Sequence, residues 1–293
     1  MRYEPRYTRR KKKNKVFDVI LITIIVIAVL VISYCAYRLI IINNTYRESR
    51  DAYSEVEEEV FDTEDETTTD DSKLITDTTK TNSKFNFEKL KEQCYYPEDC
   101  KGYIVQTGVM AYPILQGPDN NRYVRSMFTD MSYSVNGSIF IDCRCYDGLE
   151  GNYCIIYGHD INDGSMFGSL LNYEDIEYYK KHKTFTIYTA DHEYTYKVAG
   201  QMVVSIDSDA YKTAFNDTAD FVNTMNNLLA ERTYATDVDS IKEDDHVIML
   251  STCVRWKDYS LRRVVMLVRD TTVAETEEET TTTKMATTAK TPS

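Results

Sequence analysis

Residues 19–37 contain no charged side chain, and this apolar run limits what a chain of 293 residues can fold into. A helix rises about 1.5 Å per residue, so the run covers most of a hydrocarbon core of about 30 Å. Extension to residue 42, with Arg38 reaching the interface, completes a predicted transmembrane anchor over residues 16–42. A cleaved signal peptide is the alternative, but the run is long for one and no A-x-A site follows it.

The charges before the apolar run predict its orientation. Residues 1–15 carry eight Lys and Arg residues against one Glu. Basic flanks stay in the cytoplasm, so we expect a cytoplasmic N-terminal segment, a single pass through the cell membrane and an extracellular remainder. The whole chain has a net charge of −13, which argues against nucleic acid as a partner because phosphate binding needs a basic face.

Two polar segments are predicted to be disordered. Residues 51–72 hold eleven acidic side chains and no Lys or Arg. Such a segment buries too little apolar area to offset chain entropy, and its self-repulsion predicts an extended acidic, Thr-rich stalk over residues 43–84. The Thr- and Glu-rich residues 271–293 predict a disordered tail.

The middle of the chain, residues 85–270, has the pattern of one folded domain. All ten glycines lie between Gly102 and Gly200, which marks a region of turns. Segments rich in Val, Ile, Tyr and Thr predict strands at residues 138–143, 152–157, 184–189, 193–198, 202–206, 246–252 and 263–268. Helical spacing and capping residues predict helices at residues 85–93, 175–181 and 218–232. Many strands with few helices predict a mainly β fold, a closed barrel or a sandwich.

Three kinds of reactive side chain follow or open apolar strands. His159 stands in Tyr-Gly-His-Asp after one strand, Cys253 ends Leu-Ser-Thr-Cys in another, and Arg262 and Arg263 open the last. Meeting at one rim, such residues suit acyl transfer, in which a thiolate attacks a carbonyl, an imidazolium protonates the leaving amine and a cation steadies the oxyanion. Taken singly, each has a plainer interpretation: a buried thiol, a structural histidine, surface arginines.

The combination of motifs resembles the class B sortases. The segments that carry the resemblance are YGHD followed by INDGSMFGSL, LSTC followed ten residues later by Arg, ILQGPDNNRYV and GSIFIDCR. The resemblance covers about residues 85–270. It implies a closed eight-stranded β-barrel with an N-terminal helix and a helix inserted before the Cys strand.

The resemblance also implies an activity. Sortases are membrane-anchored cysteine transpeptidases of Gram-positive bacteria. They cleave a sorting motif in a secreted protein, hold the acyl group as a thioester and pass it to an amine. The implied partners are secreted proteins with a C-terminal sorting motif and a peptidoglycan precursor or pilin amine, and no cofactor is implied.

The resemblance assigns roles to individual residues. Cys253 takes the place of the nucleophile, His159 that of the general acid and base, and Arg263 that of the arginine. Strand alternation sends Arg262 and Arg263 to opposite faces; it cannot choose between them, and the match favours Arg263. The residues matching the substrate groove are Asn120, Val124, Tyr157 and Ser251, and the backbone N–H of Val254 matches an oxyanion donor.

The other cysteines of the domain are unusual for this resemblance. Outside the cell disulfides are allowed, and Cys94 and Cys100 are a possible pair across a short turn. Cys154 is a second candidate, with Cys143 or Cys145 as its partner. A zinc site built from these residues would consume His159, so we assign no metal.

Two rival functions remain open at this point. One is a related enzyme, either a pilin-polymerising sortase or a cysteine peptidase that hydrolyses its thioester. The other is a membrane-tethered binding module without catalysis, in which Cys253 would be inert.

Overall fold

The computed structural model describes residues 15–62, 84–254 and 260–271. The predicted tail from residue 272 onward and the basic segment before residue 15 lie outside the described residues. The chain divides into two compact units, Met1–Glu48 and Ser49–Ser293. The first contains most of helix α1 (Lys15–Val60), in which Val19–Ile41 is long and apolar enough to cross a membrane.

The second unit begins well before residue 85, which differs from the predicted stalk. Helix α1 continues to Val60, and its last turns bury Tyr53, Val56 and Val60. These residues follow one another at three- and four-residue spacing and so share one helix face, while the acidic side chains between them are exposed. The sequence analysis counted the acids and missed this apolar stripe. Residues 63–83 of the predicted stalk lie outside the described residues.

A short two-stranded sheet follows α1. Strand β1 (Phe61–Asp62) pairs antiparallel with β2 (Lys84–Phe85), and Phe61 and Phe85 pack on Tyr103 and Tyr188 of the barrel. This aromatic cluster fastens the end of α1 to the domain.

Eight strands form the predicted closed barrel, which confirms the fold class. Their bounds are β3 (Cys100–Gln106), β4 (Met110–Leu115), β5 (Phe140–Ile141), β6 (Tyr153–Tyr157), β7 (Thr184–Tyr188), β8 (Glu193–Ser205), β9 (Val247–Cys253) and β10 (Leu261–Arg269). Around the barrel the order is β10-β8-β7-β3-β4-β5-β6-β9. Fully buried side chains paired across adjacent strands, such as Ile155, Met249 and Met266, form part of its core.

One barrel strand differs from its prediction for a local reason. Residues 193–206 were predicted as two strands separated at Gly200, yet β8 is continuous through it. A Cβ at Gly200 would lie 2.9 Å from Cβ of Arg232, so glycine here permits a close approach and makes no turn. The pairing with β10 slips by one residue beside it, between Met266 and Leu267, as in a β-bulge.

Three short α-helices connect or precede the barrel strands, and their ends agree with the predicted helices to within two residues. They are α2 (Phe87–Gln93), α3 (Ile176–Lys181) and α4 (Thr218–Ala230). The carboxylate of Asp217 caps α4 by accepting from the backbone N–H of Asp220 at 2.8 Å. Helix α4 buries Phe221, Met225 and Leu228 and is inserted between β8 and β9, ahead of the Cys strand.

Truncation of Val60 tests whether the end of α1 belongs to the folded domain. Because Val60 is fully buried, Val60→Ala should lower the free energy of unfolding by about 1.5–2.5 kcal/mol. Glu55→Ala, on the exposed face of the same helix, should change it by less than about 0.5 kcal/mol. Urea unfolding of the full chain in detergent micelles measures both. Equal midpoints for Val60→Ala and the unchanged chain would contradict the packing.

Candidate active site

The parallel pairing of β6 with β9 sets the geometry of the site. Their register runs from Tyr153 opposite Val247 to Tyr157 opposite Ser251. His159 lies two residues beyond Tyr157 and Cys253 two residues beyond Ser251. Parallel strands end at the same edge of a sheet, so the pairing brings the histidine and the cysteine to one rim of the barrel.

Gly158 continues this alignment past the end of β6. Its N–H donates to the carbonyl of Ser251 at 3.2 Å. A Cβ here would lie 2.5 Å from Cδ1 of Ile139 and 2.6 Å from Cγ of Phe167, so only glycine fits. The carbonyl of His159 in turn accepts from the N–H of Phe167 at 2.9 Å, which holds the backbone as it leaves the strand.

A cavity of about 310 Å³ opens at this rim. It contains the predicted nucleophile, the predicted acid and base, and all four predicted groove residues. Its lining residues are Asn120, Val124, Ser138, Phe140, Tyr157, Gly158, His159, Ser251, Thr252, Cys253 and Arg262. Val254, predicted as an oxyanion donor, follows Cys253 directly and is half-buried, but it is not among these lining residues.

The structure places Arg262, and not the predicted Arg263, in the cavity with Cys253. In the antiparallel pair of β9 and β10, Arg262 lies opposite Cys253 and Arg263 lies opposite Thr252. Directly paired residues present their side chains on the same face, and Arg262 lines the cavity with Cys253. Arg263 is 2% exposed and forms an ion pair with Glu174.

The imidazole of His159 is held in one tautomer. Its Nε2 lies 2.7 Å from the carbonyl oxygen of Val124. A carbonyl only accepts hydrogen bonds, so Nε2 carries the proton and donates, which leaves Nδ1 as the position that exchanges a proton in the groove. Burial lowers the pKa of His159, the hydrogen bond to Val124 opposes this shift, and the charge of Arg125 adds to it.

A buried carboxylate forms a hydrogen bond with the groove residue Tyr157, and the sequence analysis missed it. Asp142 is fully buried and accepts from Arg144 Nη2 at 2.8 Å and from Tyr157 Oη at 2.8 Å. Burial favours its neutral form, but these hydrogen bonds outweigh burial and lower the pKa of Asp142 to about 2. Beside it, Oδ1 of Asn120 accepts from the N–H of Cys143 at 2.8 Å. Both groove residues are thereby fixed in orientation.

A second residue missed by the sequence analysis is Tyr211, from the segment between β8 and α4. Its hydroxyl lies 2.8 Å from Oγ of Ser251, and its ring stacks on Tyr157 at 6.4 Å with an interplanar angle of 8°. Its sequence context carried no signal, because the contact depends on how this segment folds back onto β9.

Both members of the predicted Cys94–Cys100 pair are buried free thiols. A hydrogen bond with Cys94, followed by burial, raises the pKa of the Cys100 thiol, so the two side chains are in contact. Cys143, Cys145 and Cys154 are also free thiols. Oxidation of any of these pairs stays a prediction.

Comparison with known proteins agrees with this arrangement. A sortase domain matches residues 103–270, more than half of the chain. The chain belongs to the sortase family. Sortase B of Listeria monocytogenes is 32% identical over 155 residues, which is 53% of this chain and 62% of that protein. Sortase B of Staphylococcus aureus is 26% identical over 184 residues, which is 62% of this chain and 73% of that protein.

Solved sortase structures share the barrel. The structure of a Staphylococcus aureus sortase B–substrate complex matches with a TM-score of 0.56 and 26% identity, over 63% of this chain and 84% of that one. These similarities confirm the resemblance to class B. The alignment with the Listeria protein spans less than two thirds of that protein's length.

Titration of His159 tests the account of its surroundings. Since burial lowers its pKa, the midpoint should fall below the ordinary value of about 6.5. Carbon-13 labelling of the four histidines, with His159→Gln to assign the signal, gives this midpoint by NMR. The unfolded chain then binds the proton first, so stability contributed by this group is full above about pH 6.5 and declines as the pH falls below it. A midpoint above 6.5 would contradict the buried setting.

Proposed function

We propose that this protein is a cysteine transpeptidase that cleaves a sorting motif in secreted proteins and transfers the acyl group to a cell-wall amine. The observation that carries the proposal is the placing of Cys253, His159 and Arg262 around one cavity at the shared end of β6 and β9. The groove residues Asn120, Val124, Tyr157 and Ser251 give that cavity the polar and apolar surface that an extended peptide needs.

The reaction has two halves joined by a thioester. The Cys253 thiolate attacks the carbonyl carbon of the scissile peptide bond, the C–N bond breaks, and the imidazolium of His159 gives its proton to the leaving amine. An incoming amine then attacks the thioester, neutral His159 accepts its proton, and the C–S bond breaks to return the thiolate. Burial lowers the pKa of His159, which disfavours the protonated imidazole that this step needs.

Arg262 is the cation of this mechanism. Its position opposite Cys253 in the β9–β10 pair and its place in the lining of the cavity support this role. The backbone N–H of Val254 is the second proposed donor to that oxygen. Arg263 takes no part in this proposal, since its side chain is buried outside the cavity and is paired with Glu174.

The same proposal places the protein at the cell surface. The apolar stretch of α1 would anchor it in the membrane, with the basic N-terminal segment in the cytoplasm and the barrel outside. Secreted proteins bearing a sorting motif and the amine of a wall precursor are then its partners.

Intact-mass analysis of the reduced full chain in detergent micelles tests the thioester. Incubation with a library of sorting-type peptides should add an acyl mass to the 34.0 kDa protein, and hydroxylamine should remove it. Cys253→Ala should gain no mass. An adduct on Cys253→Ala, or none on the folded unchanged chain, would overturn the proposal.

An added peptide amine separates transfer from hydrolysis. If the enzyme is a transpeptidase, the amine should divert product from the free acid to the amide in proportion to its concentration. Free acid alone at every amine concentration would favour the hydrolytic peptidase. A pilin subunit as the only accepted amine would favour the polymerising sortase.

Substitution of each arginine in turn tests the proposal that Arg262, and not Arg263, is the cation of the mechanism. Arg262→Ala should lower the rate of thioester formation by about 10²–10³-fold, because one oxyanion donor is worth about that much. Arg263→Met keeps the buried stem and should lower the rate less than about threefold, because its side chain lies outside the cavity. Single-turnover mass spectrometry measures both, with thermal unfolding as a check on folding. The reverse ranking of the two rates would restore Arg263.

A further inference from the structure

A tyrosine at the end of α1 is held rigidly against the barrel. Tyr53 is 5% exposed. Its ring meets Tyr112 edge-on at 5.1 Å with an interplanar angle of 80°, and it stacks on Phe128 at 5.4 Å and 25°. Two aromatic contacts of this kind fix the direction in which the hydroxyl points.

The hydroxyl of Tyr53 binds the segment that forms one wall of the groove. It donates to the carbonyl oxygen of Gly137 at 2.9 Å and lies 3.4 Å from Oγ of Ser138. Ser138 itself lines the cavity. Burial raises the pKa of Tyr53, so the phenol stays protonated and remains a donor at any pH at which the protein is folded.

The backbone of Gly137 lies close to the carbonyl of Val124. Its φ of +58° lies in the left-handed region, and a Cβ there would lie 2.3 Å from the carbonyl oxygen of Val124. The adjacent N–H of Ser138 donates to the carbonyl of Tyr123 at 2.9 Å. The position of the Val124 carbonyl therefore depends on where the backbone of Gly137 is held.

The Val124 carbonyl is the group that orients the histidine. It accepts from Nε2 of His159 at 2.7 Å, which is the contact that fixes the tautomer and holds the ring. A continuous path thus runs from the Tyr53 hydroxyl through Gly137 and Val124 to the imidazole. Each step is a hydrogen bond or a backbone contact.

We propose that Tyr53 is a positioning residue for His159, acting from the part of α1 that follows the predicted membrane span. This inference rests on the proposed function and deepens it, since it adds a residue outside the sortase-matched segment 103–270 to the machinery of the reaction. The end of α1 then has a catalytic purpose as well as a structural one.

Loss of the Tyr53 hydroxyl should change both the orientation of the His159 ring and the pKa of His159. The hydrogen bond to Val124 favours the imidazolium, so loosening it should lower the pKa of His159 further. The other charged and titratable groups around the ring stay in place: Cys253 and Arg262 across the groove, Asp160 next in the chain, and Arg125 beside Val124. A shift would therefore report on the Val124 contact.

The test compares Tyr53→Phe with Tyr103→Phe in the full chain in micelles. Tyr103 is also a fully buried tyrosine, but its hydroxyl has no hydrogen-bond partner in the described residues, so the control makes the same chemical change without breaking a contact. Tyr53→Phe should lower the NMR titration midpoint of His159 by about half a pH unit. It should also slow thioester formation about tenfold, whereas Tyr103→Phe should change neither.

A second variant changes Gly137, which lies between Tyr53 and Val124 in this series of contacts. Gly137→Ala would force its Cβ onto the Val124 carbonyl and should shift the His159 midpoint in the same direction as Tyr53→Phe. If Tyr53→Phe leaves both the midpoint and the rate at the values of Tyr103→Phe, the inference is overturned. The titration needs no substrate, so a chain that forms no thioester would refute the proposed function and leave the positioning of His159 to be decided by NMR alone.

Discussion

The parallel pairing of β6 with β9 is the contact on which the rest of the site depends. Most neighbouring strands of this barrel are antiparallel, and antiparallel neighbours end at opposite rims. Because β6 and β9 run parallel and in register, Cys253 at the end of β9 and His159 just after β6 lie at one rim.

The antiparallel partner of β9 supplies the third group. Strand β10 returns beside β9 so that Arg262 faces Cys253 while Arg263 faces Thr252. Register alone therefore decides which arginine reaches the groove, and the other becomes a buried partner of Glu174.

Much of this architecture follows from patterns in the sequence, and the exceptions have physical reasons. The strand that precedes His159 and the strand that ends at Cys253 are largely apolar, so they could be predicted directly. Alternation places Arg262 and Arg263 on opposite faces, but only the register with β9 assigns the faces. The strands predicted at residues 193–198 and 202–206 are one strand, because the glycine between them, Gly200, permits a close contact with Arg232 and does not interrupt β8.

The end of α1 shows a different limit of sequence analysis. Its acids outnumber its apolar residues, so composition predicted a disordered stalk, while the stripe of Tyr53, Val56 and Val60 packs on the barrel. The contact from Tyr53 to Gly137 joins residues 84 positions apart and leaves no periodic signal. Long-range side-chain contacts of this kind, like that of Tyr211 with Ser251, depend on the finished fold.

The most direct test of the account is a crystal structure of the protein with a sorting-motif peptide held covalently on the sulfur of Cys253. The account predicts that the peptide lies along Asn120, Val124 and Tyr157, with its acyl oxygen within hydrogen-bond distance of Arg262. Arg263 should remain buried and paired with Glu174. A peptide lying outside this cavity, or an acyl oxygen bound by Arg263, would contradict the account.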